Sequence, residues 1–212
     1  MSVNNLEKYN CISFVDHVIE DAANGKPFIL VDDKNRENEG DLVVLADKVN
    51  SEIMNLMIQH GSGIVCLAMT EYYMKKLNLD FMPRTNINDN CAAFTTSIDS
   101  RYGITTGVSA QDRVTTILTV IRDGTTKDDF VTPGHVFPII ARSGGVLERP
   151  GHTEASVEIA RLSACSEAAV VCELMNKDGT MSRFSEIVDF ANKYNIKILT
   201  INRLIEYLNL RS

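Results

Sequence analysis

The sequence predicts an α/β protein with a mixed, twisted sheet of about six to seven strands and helices on both faces. Apolar strand-like runs alternate with segments of helical periodicity along all 212 residues. The apolar runs 28–31 and 42–46 are separated by ten polar residues without a helix, which disfavours a purely parallel sheet. Because no linker or repeat interrupts the pattern, residues 1–212 are expected to form a single domain.

Composition limits the possible partners. The formal net charge is −7, from 28 acidic and 21 basic residues, whereas a nucleic-acid-binding domain usually carries a basic surface. No apolar run approaches the ~18 residues that a membrane helix needs, and the polar N-terminus lacks the apolar region of a secretory signal. Five cysteines without a C-x-x-C pair favour free thiols. We therefore expect a cytoplasmic protein that binds neither nucleic acid nor membranes.

The individual elements follow from periodicity and from capping residues. Strands are predicted at residues 28–31, 42–46, 63–69, 93–98, 135–141, 168–174 and 197–200. Helices are predicted at residues 14–24, 51–59, 110–122, 154–163, 183–193 and 202–208, with a short helix after residue 70. The expected N-caps of these helices are short polar residues, namely Ser13, Ser51, Thr70, Ser109 and Thr153. Asp112 would complete a capping box with Ser109, and Pro138 indicates an edge strand or a bulge.

The ten-residue segment 32–41, DDKNRENEGD, carries the strongest chemical signal. Its five carboxylates repel one another unless a cation neutralises them, and Mg²⁺ or Mn²⁺ suits carboxylate oxygens. Arg36 could bind a phosphate or hold one of the carboxylates. A solvated acidic hairpin loop would explain the composition alone. The position between two apolar strands favours a site, because loops on a rigid scaffold often carry function.

The segment 132–153 is rich in glycine and proline and contains His135 and His152. The run R-P-G-H-T at 149–153 precedes a predicted helix, whose first N–H groups would face an anion such as phosphate. Arg149 could pair with that anion. We interpret the run as an anion site with a histidine beside it, while a structural glycine-rich turn stays open as the alternative.

Three further features are weaker. The segment 102–113 is a Gly/Thr-rich turn that leads into a helix, and a capped helix start explains most of it. Glu173 lies near the end of an apolar strand, where a carboxylate is costly unless it is paired or functional; an exposed position on an edge strand is the alternative. Cys66 has no neighbouring base in the sequence and is interpreted as a small buried apolar residue.

Five segments together, DDKNRENEGD, SGIVC, TTGVSAQDR, PGHVFP and RPGHTEA, resemble the 3,4-dihydroxy-2-butanone 4-phosphate synthase family from about residue 12 to 208. The resemblance implies a three-layer α/β/α sandwich, a homodimer and two divalent cations, Mg²⁺ or Mn²⁺, without an organic cofactor. It also implies conversion of D-ribulose 5-phosphate to L-3,4-dihydroxy-2-butanone 4-phosphate and formate, in riboflavin biosynthesis.

Matching the family's motifs onto this sequence assigns the site residues. The implied metal ligands are Glu37 and His152. The implied catalytic residues are His135 and Glu173, and our hypothesis adds Asp32 to the proton transfers. The implied substrate-binding residues are Arg36, Glu37, Asp41, Thr106, Arg149, Pro150, Gly151, His152, Thr153 and Glu173. Pro150 is included with its segment, although its side chain is not expected to carry chemistry. Glu39 and Cys66 also fall on positions that line the family's site.

Because loop 32–41 and segment 149–153 must converge on one metal pair, the site is expected near the dimer interface. Thr106 or His135 would then come from the partner chain. Two other functions are possible alternatives. A nucleotide-binding tRNA-modifying transferase on a similar scaffold would need a basic surface and leaves the acidic loop unexplained. A non-catalytic module that binds sugar phosphates or metal would not need the catalytic groups.

Overall fold

A computed structural model describes residues 13–83 and 91–211. Seven strands form one sheet in the order β4-β5-β3-β6-β2-β1-β7. The strands are β1 (Phe28–Val31), β2 (Gly40–Leu45), β3 (Cys66–Met69), β4 (Ile98–Ser100), β5 (Phe130–Ile140), β6 (Ala168–Glu173) and β7 (Lys197–Thr200). β1 with β7 and β3 with β5 are parallel, and the other four pairings are antiparallel. The predicted mixed sheet is confirmed.

Eight α-helices flank this sheet within the described ranges. They are α1 (Val15–Ala23), α2 (Ser51–Leu56), α3 (Glu71–Lys76), α4 (Ala110–Ile121), α5 (Gly145–Glu148), α6 (His152–Leu162), α7 (Phe184–Tyr194) and α8 (Ile201–Asn209). Apolar residues of α2, α3, α4 and α7 pack in one core cluster, and those of α1, α5, α6 and α8 pack in the other. Because both faces are covered, the central strands are largely apolar, and the fold is an α/β/α sandwich. None of the described helices could cross a membrane.

Two predicted N-caps at the start of the chain are wrong by one residue. The N-cap of α1 is Phe14, which makes no side-chain capping bond, and not Ser13. The N-cap of α2 is Asn50, whose Oδ1 accepts a hydrogen bond from the backbone N–H of Ile53 at 2.9 Å, and not Ser51. Asparagine caps a helix as well as serine does, and Asn50 supplies the capping oxygen one residue upstream of the predicted one.

The start of α6 also differs from the prediction. The helix begins at His152 with Gly151 as its N-cap, so Thr153 lies inside the first turn and is not the cap. At α4, Ser109 does accept a hydrogen bond from the backbone N–H of Asp112. The Asp112 carboxylate, however, accepts hydrogen bonds from the preceding loop and does not complete the predicted capping box.

The predicted strand 93–98 is displaced along the chain. Phe94 and Thr95 form only isolated bridges, and β4 begins at Ile98. Pro138 does not mark an edge, because β5 lies between β3 and β4. The register of the β4–β5 pair jumps instead just upstream of it, where partners shift from residue 136 to residue 131. This bulge at 132–135 lies upstream of Pro138, which itself pairs in regular register with Leu67 of β3.

Candidate active site

The loop between β1 and β2 is folded around the buried carboxylate of Asp32. Its Oδ2 accepts hydrogen bonds from Arg36 Nη1 at 2.8 Å and from the backbone N–H of Glu37 at 3.1 Å. Its Oδ1 accepts one from the backbone N–H of Glu39 at 2.9 Å. One carboxylate thus binds both the Arg36 guanidinium and the backbone of the loop. The acidic segment therefore has a defined shape, which a solvated acidic hairpin loop would not need.

The first turn of α6 meets this loop from the other side. His152 Nδ1 lies 3.7 Å from Glu37 Oε2, and His152 Nε2 lies 3.9 Å from Asp41 Oδ1. Ligand atoms of Asp32, Glu37 and His152 all fall within 4.8 Å of one another. The Nε2 atom is buried and makes no hydrogen bond with the described residues. A buried polar atom without a partner is costly, and a metal ion would satisfy it.

The charges of this cluster are strongly coupled. His152 lowers the pKa of Glu37 to about 2, with Arg36 acting in the same direction against partial burial. Burial disfavours the charged imidazole, yet the carboxylates of Asp41, Glu37 and Asp32 raise the pKa of His152 to about 9. Burial raises the pKa of Asp41 to about 7. The metal-free site therefore holds a proton on the imidazole at neutral pH.

The donor set fits a hard divalent cation. Carboxylate and imidazole ligands suit Mg²⁺ or Mn²⁺ better than thiolate-preferring metals. Both oxygens of Asp32 already accept hydrogen bonds within the loop, whereas Glu37 is exposed and His152 has its unpartnered Nε2. The geometry thus favours Glu37 and His152 as ligands, and Asp32 as the group that orients the loop.

Glu173 lies next to Asp41 on the same rung of the sheet. The two residues are Cα partners in the β2–β6 pair, and Glu173 Oε2 accepts a hydrogen bond from the backbone N–H of Ile64 at 2.8 Å. A Cβ at Gly63 would collide with the Glu173 carboxylate, so glycine is needed there. β6 is a central strand, which excludes the alternative that Glu173 lies on an edge strand.

Arg149 is buried together with Glu154 at the start of α6. Its Nη1 donates a 2.6 Å hydrogen bond to Glu154 Oε2, and Glu154 Oε1 accepts the backbone N–H of Arg142 at 3.0 Å. A Cβ at Gly151 would meet both the guanidinium and the Glu154 carboxylate. The other residues of the predicted anion site differ in exposure, since Pro150 is exposed and Thr153 is buried.

His135 and Thr106 lie apart from the acidic cluster. His135 precedes the β3–β5 pairing, in which Phe137 is opposite Cys66, and Cys66 is opposite Val171. Extending that register puts His135 on the rung of Glu173, two strand spacings or roughly 10 Å away. Thr106 is exposed. One chain therefore brings together the 32–41 loop, Glu173 and His152, but not His135.

The interpretation of Cys66 as a buried apolar residue agrees with its environment. The residue is almost fully buried, and burial raises the pKa of its thiol far above the ordinary range. Two carboxylates that organise the site were not predicted from the sequence, namely Asp99 and Glu154, and Asp112 was predicted only as part of a capping box. Isolated acidic residues in segments of mixed polarity carry no local signal, because their partners are distant in sequence or hidden by the fold.

Comparisons with known proteins identify the family to which this sequence is similar. The sequence model of the 3,4-dihydroxy-2-butanone 4-phosphate synthase family matches residues 16–207. A protein of that name from Wigglesworthia glossinidia brevipalpis is 47% identical over 195 residues, covering 92% of each chain. The riboflavin biosynthesis protein RibBA of Aquifex aeolicus (strain VF5) is 49% identical, but the match spans only 48% of its length.

A solved structure of a protein with this name has the same fold. It is a 3,4-dihydroxy-2-butanone 4-phosphate synthase in complex with two magnesium ions, and it superposes with a TM-score of 0.88 at 34% identity. The superposition covers 93% of this chain and 97% of that one. With a family match over nearly the whole sequence, this chain belongs to the 3,4-dihydroxy-2-butanone 4-phosphate synthase family.

Proposed function

We propose that the chain is a lyase that converts D-ribulose 5-phosphate to L-3,4-dihydroxy-2-butanone 4-phosphate and formate, supplying the four-carbon unit of riboflavin. Membership of the family supports this reaction. The single structural observation that carries it is the buried, unpartnered Nε2 of His152, in a ring that also lies beside Glu37. That atom calls for a divalent cation in the place where a sugar phosphate could approach.

Glu37 and His152 would hold the metal, which we propose to be a pair of Mg²⁺ or Mn²⁺ ions, as a related structure contains two magnesium ions. Such ions polarise carbonyl and hydroxyl oxygens and so acidify a neighbouring C–H bond. The chain itself neutralises its acidic loop through Arg36, which donates to Asp32. Asp41 borders the same space from β2, with its Oδ1 close to His152.

The phosphate would bind at the start of α6. The first N–H groups of a helix attract anions, and these belong here to His152 and Thr153. Arg149 would complete the anion site, with Glu154 fixing the direction of its guanidinium. The sugar carbons would then extend toward Glu173, and Arg36 and Thr106 would contact the substrate from the surrounding loops.

We assign the proton transfers to Glu173 and His135, with Asp32 as a third candidate. Glu173 is fixed by the N–H of Ile64, so its carboxylate has a defined direction at the edge of the metal cluster. Asp32 contributes first through the shape of the loop, since its oxygens accept hydrogen bonds from it. Replacing His135 with Asn should abolish turnover while leaving the metal cluster intact.

We further propose a homodimer in which the partner chain supplies His135 and Thr106. The roughly 10 Å between His135 and Glu173 within one chain supports this arrangement, as do the exposed apolar residues Tyr102 and Val108 beside Thr106. Mixing Glu37→Ala and His135→Ala chains tests it. Recovered activity in mixed dimers is expected, and verified mixed dimers without activity would refute a shared site.

Ribulose 5-phosphate would be the main partner, with no nucleic acid or membrane involved. We also propose a cytoplasmic location, because the four cysteines of the described ranges are free thiols, as is typical of a reducing compartment.

The decisive experiment is proton NMR of the folded protein with ribulose 5-phosphate and Mg²⁺ or Mn²⁺. We expect formate to appear with either metal, and EDTA to suppress it. A folded protein that releases no formate with either ion would be better explained as a binding module for sugar phosphates. The matched control is the Glu37→Gln chain, which should bind less metal and release no formate.

A further inference from the structure

His135 is held by one buried carboxylate at two points, one on its backbone and one on its imidazole ring. The backbone N–H of His135 donates to Asp99 Oδ1 at 2.9 Å, and its Nδ1 lies 2.7 Å from Asp99 Oδ2. The Asp99 side chain is 7% exposed, whereas the His135 side chain is 44% exposed. The ring is thus anchored on its inner side and accessible on its outer side.

The bulge between β4 and β5 creates this arrangement. Ile98 is opposite Val136, but the next residue, Asp99, is opposite Val131, so residues 132–135 leave the ladder. Their backbone amides need other acceptors. Asp99 accepts the N–H of His135, and Ser97 Oγ accepts the N–H of Gly134 at 3.1 Å. The carboxylate therefore replaces a missing strand partner and binds the imidazole at the same time.

A second loop closes over the pair. Asp112 accepts hydrogen bonds from the backbone N–H groups of Thr105 and Gly107, at 3.1 and 3.0 Å. Gly107 has a φ of +89°, and a Cβ there would strike both Asp99 Oδ2 and His135 Nδ1. The tight fit limits movement of either group, so the bond between Nδ1 and the carboxylate has a fixed geometry.

This geometry determines which ring nitrogen carries the proton. A carboxylate accepts hydrogen bonds, so the neutral imidazole must donate from Nδ1 and leave the lone pair on Nε2. Nε2 has no hydrogen-bond partner among the described residues. We propose that Asp99 is a positioning residue that fixes His135 in the Nδ1–H tautomer, with Nε2 directed to accept or return a substrate proton.

The effect of Asp99 on turnover rests on the proposed function, because it requires His135 to act on the substrate. The tautomer of His135 does not depend on the proposed function. The variant Asp99→Asn separates the two. Its amide oxygen can still accept the N–H of His135, while its NH₂ group now faces Nδ1 and must donate to it. The fold is preserved and the proton moves to Nε2. The same change in a serine protease triad lowers kcat by about 10⁴.

The first measurement is ¹⁵N NMR of histidine-labelled protein above the imidazole pKa, with the His135→Asn chain identifying the His135 signals. We expect a protonated Nδ1 and a bare Nε2 in the wild type, and the reverse in Asp99→Asn. An Nε2–H tautomer in the wild type would overturn the proposal. So would an Asp99→Asn protein, folded by circular dichroism, that keeps the wild-type tautomer.

The second measurement is steady-state formate release. We expect Asp99→Asn to lower kcat by about 10²–10⁴ with KM little changed, and to have no further effect in the His135→Asn background. Full activity in Asp99→Asn together with an inactive His135→Asn chain would refute the positioning role. Full activity in His135→Asn would instead refute the assigned role of His135, leaving the tautomer to the NMR result.

Two glycine variants test how closely the loop at Gly107 packs on Asp99 and His135, without changing either of those side chains. Gly107→Ala introduces a Cβ against the pair, and Gly179→Ala provides the matched control. Gly179 also has a left-handed φ, of +87°, but no atom lies within 4 Å of its would-be Cβ. Both variants carry the same backbone strain. Only Gly107→Ala should lower kcat, and equal kcat values in the two would contradict the tight fit.

Discussion

Replacing Glu154 with Ala should destabilise the protein strongly, because it removes a buried carboxylate that pairs with the buried guanidinium of Arg149. The Arg149 side chain is 10% exposed and that of Glu154 is 1% exposed. Removing one partner of a buried ion pair typically costs about 3–5 kcal/mol. The backbone N–H of Arg142 also loses its acceptor, which adds to the loss. For a chain of this size the midpoint of thermal unfolding should fall by roughly 6–20 °C.

Urea denaturation monitored by circular dichroism measures the free energy of unfolding. The matched control is Glu167→Ala, which removes a carboxylate that pairs with Arg161 on the surface, where both side chains are more than 40% exposed. That change should cost at most about 1 kcal/mol. If Glu154→Ala also costs less than about 1 kcal/mol, at an unchanged m-value, the pair of Arg149 and Glu154 does not stabilise the start of α6.

Three further predictions concern the metal site. Asp32→Asn should lower the free energy of unfolding by about 1–3 kcal/mol, because the NH₂ group of asparagine cannot accept hydrogen bonds from the loop N–H groups. The control variant Asp33→Asn changes an exposed residue and should have little effect. Equal urea midpoints for the two variants would contradict this prediction. Glu37→Gln should weaken Mn²⁺ binding in calorimetry by more than the roughly 10–100-fold typical of an orienting residue; unchanged affinity would remove Glu37 from the ligands. Because Mn²⁺ must displace a proton from His152, whose pKa is about 9, affinity should rise roughly tenfold from pH 7 to pH 8, and a flat profile would refute that competition.

Much of the fold could be predicted from local patterns. The bounds of β1 and β7 agree with the prediction at every residue, because short apolar runs between polar segments have few alternatives. The strand 93–98 was misplaced, since its pairing is decided by β5, more than thirty residues later in the chain. The order of strands in the sheet has no local signature and could not be predicted from periodicity.

The parts of the site that lie in segments with a distinctive composition could be predicted from the sequence. An isolated acidic residue such as Asp99 could not. Five acidic residues in ten pointed to the loop that contains Glu37, and the glycine-rich run before α6 pointed to His152. The fold brings the two within 3.7 Å. Asp99 could not be found in this way, because its importance comes from a bulge that removes the strand partners of His135. Such a role becomes visible only in the register of the sheet.

The strand order has a consequence for synthesis on the ribosome. β1 is one of the first elements to emerge, yet its outer edge pairs with β7, near the C-terminus. Until residues 197–200 leave the exit tunnel, a nascent chain displays an apolar strand with an open edge, the kind of surface that promotes aggregation. β7 therefore covers the open edge of β1. A chain truncated before β7 should depend on chaperones even though its proposed metal ligands are all present.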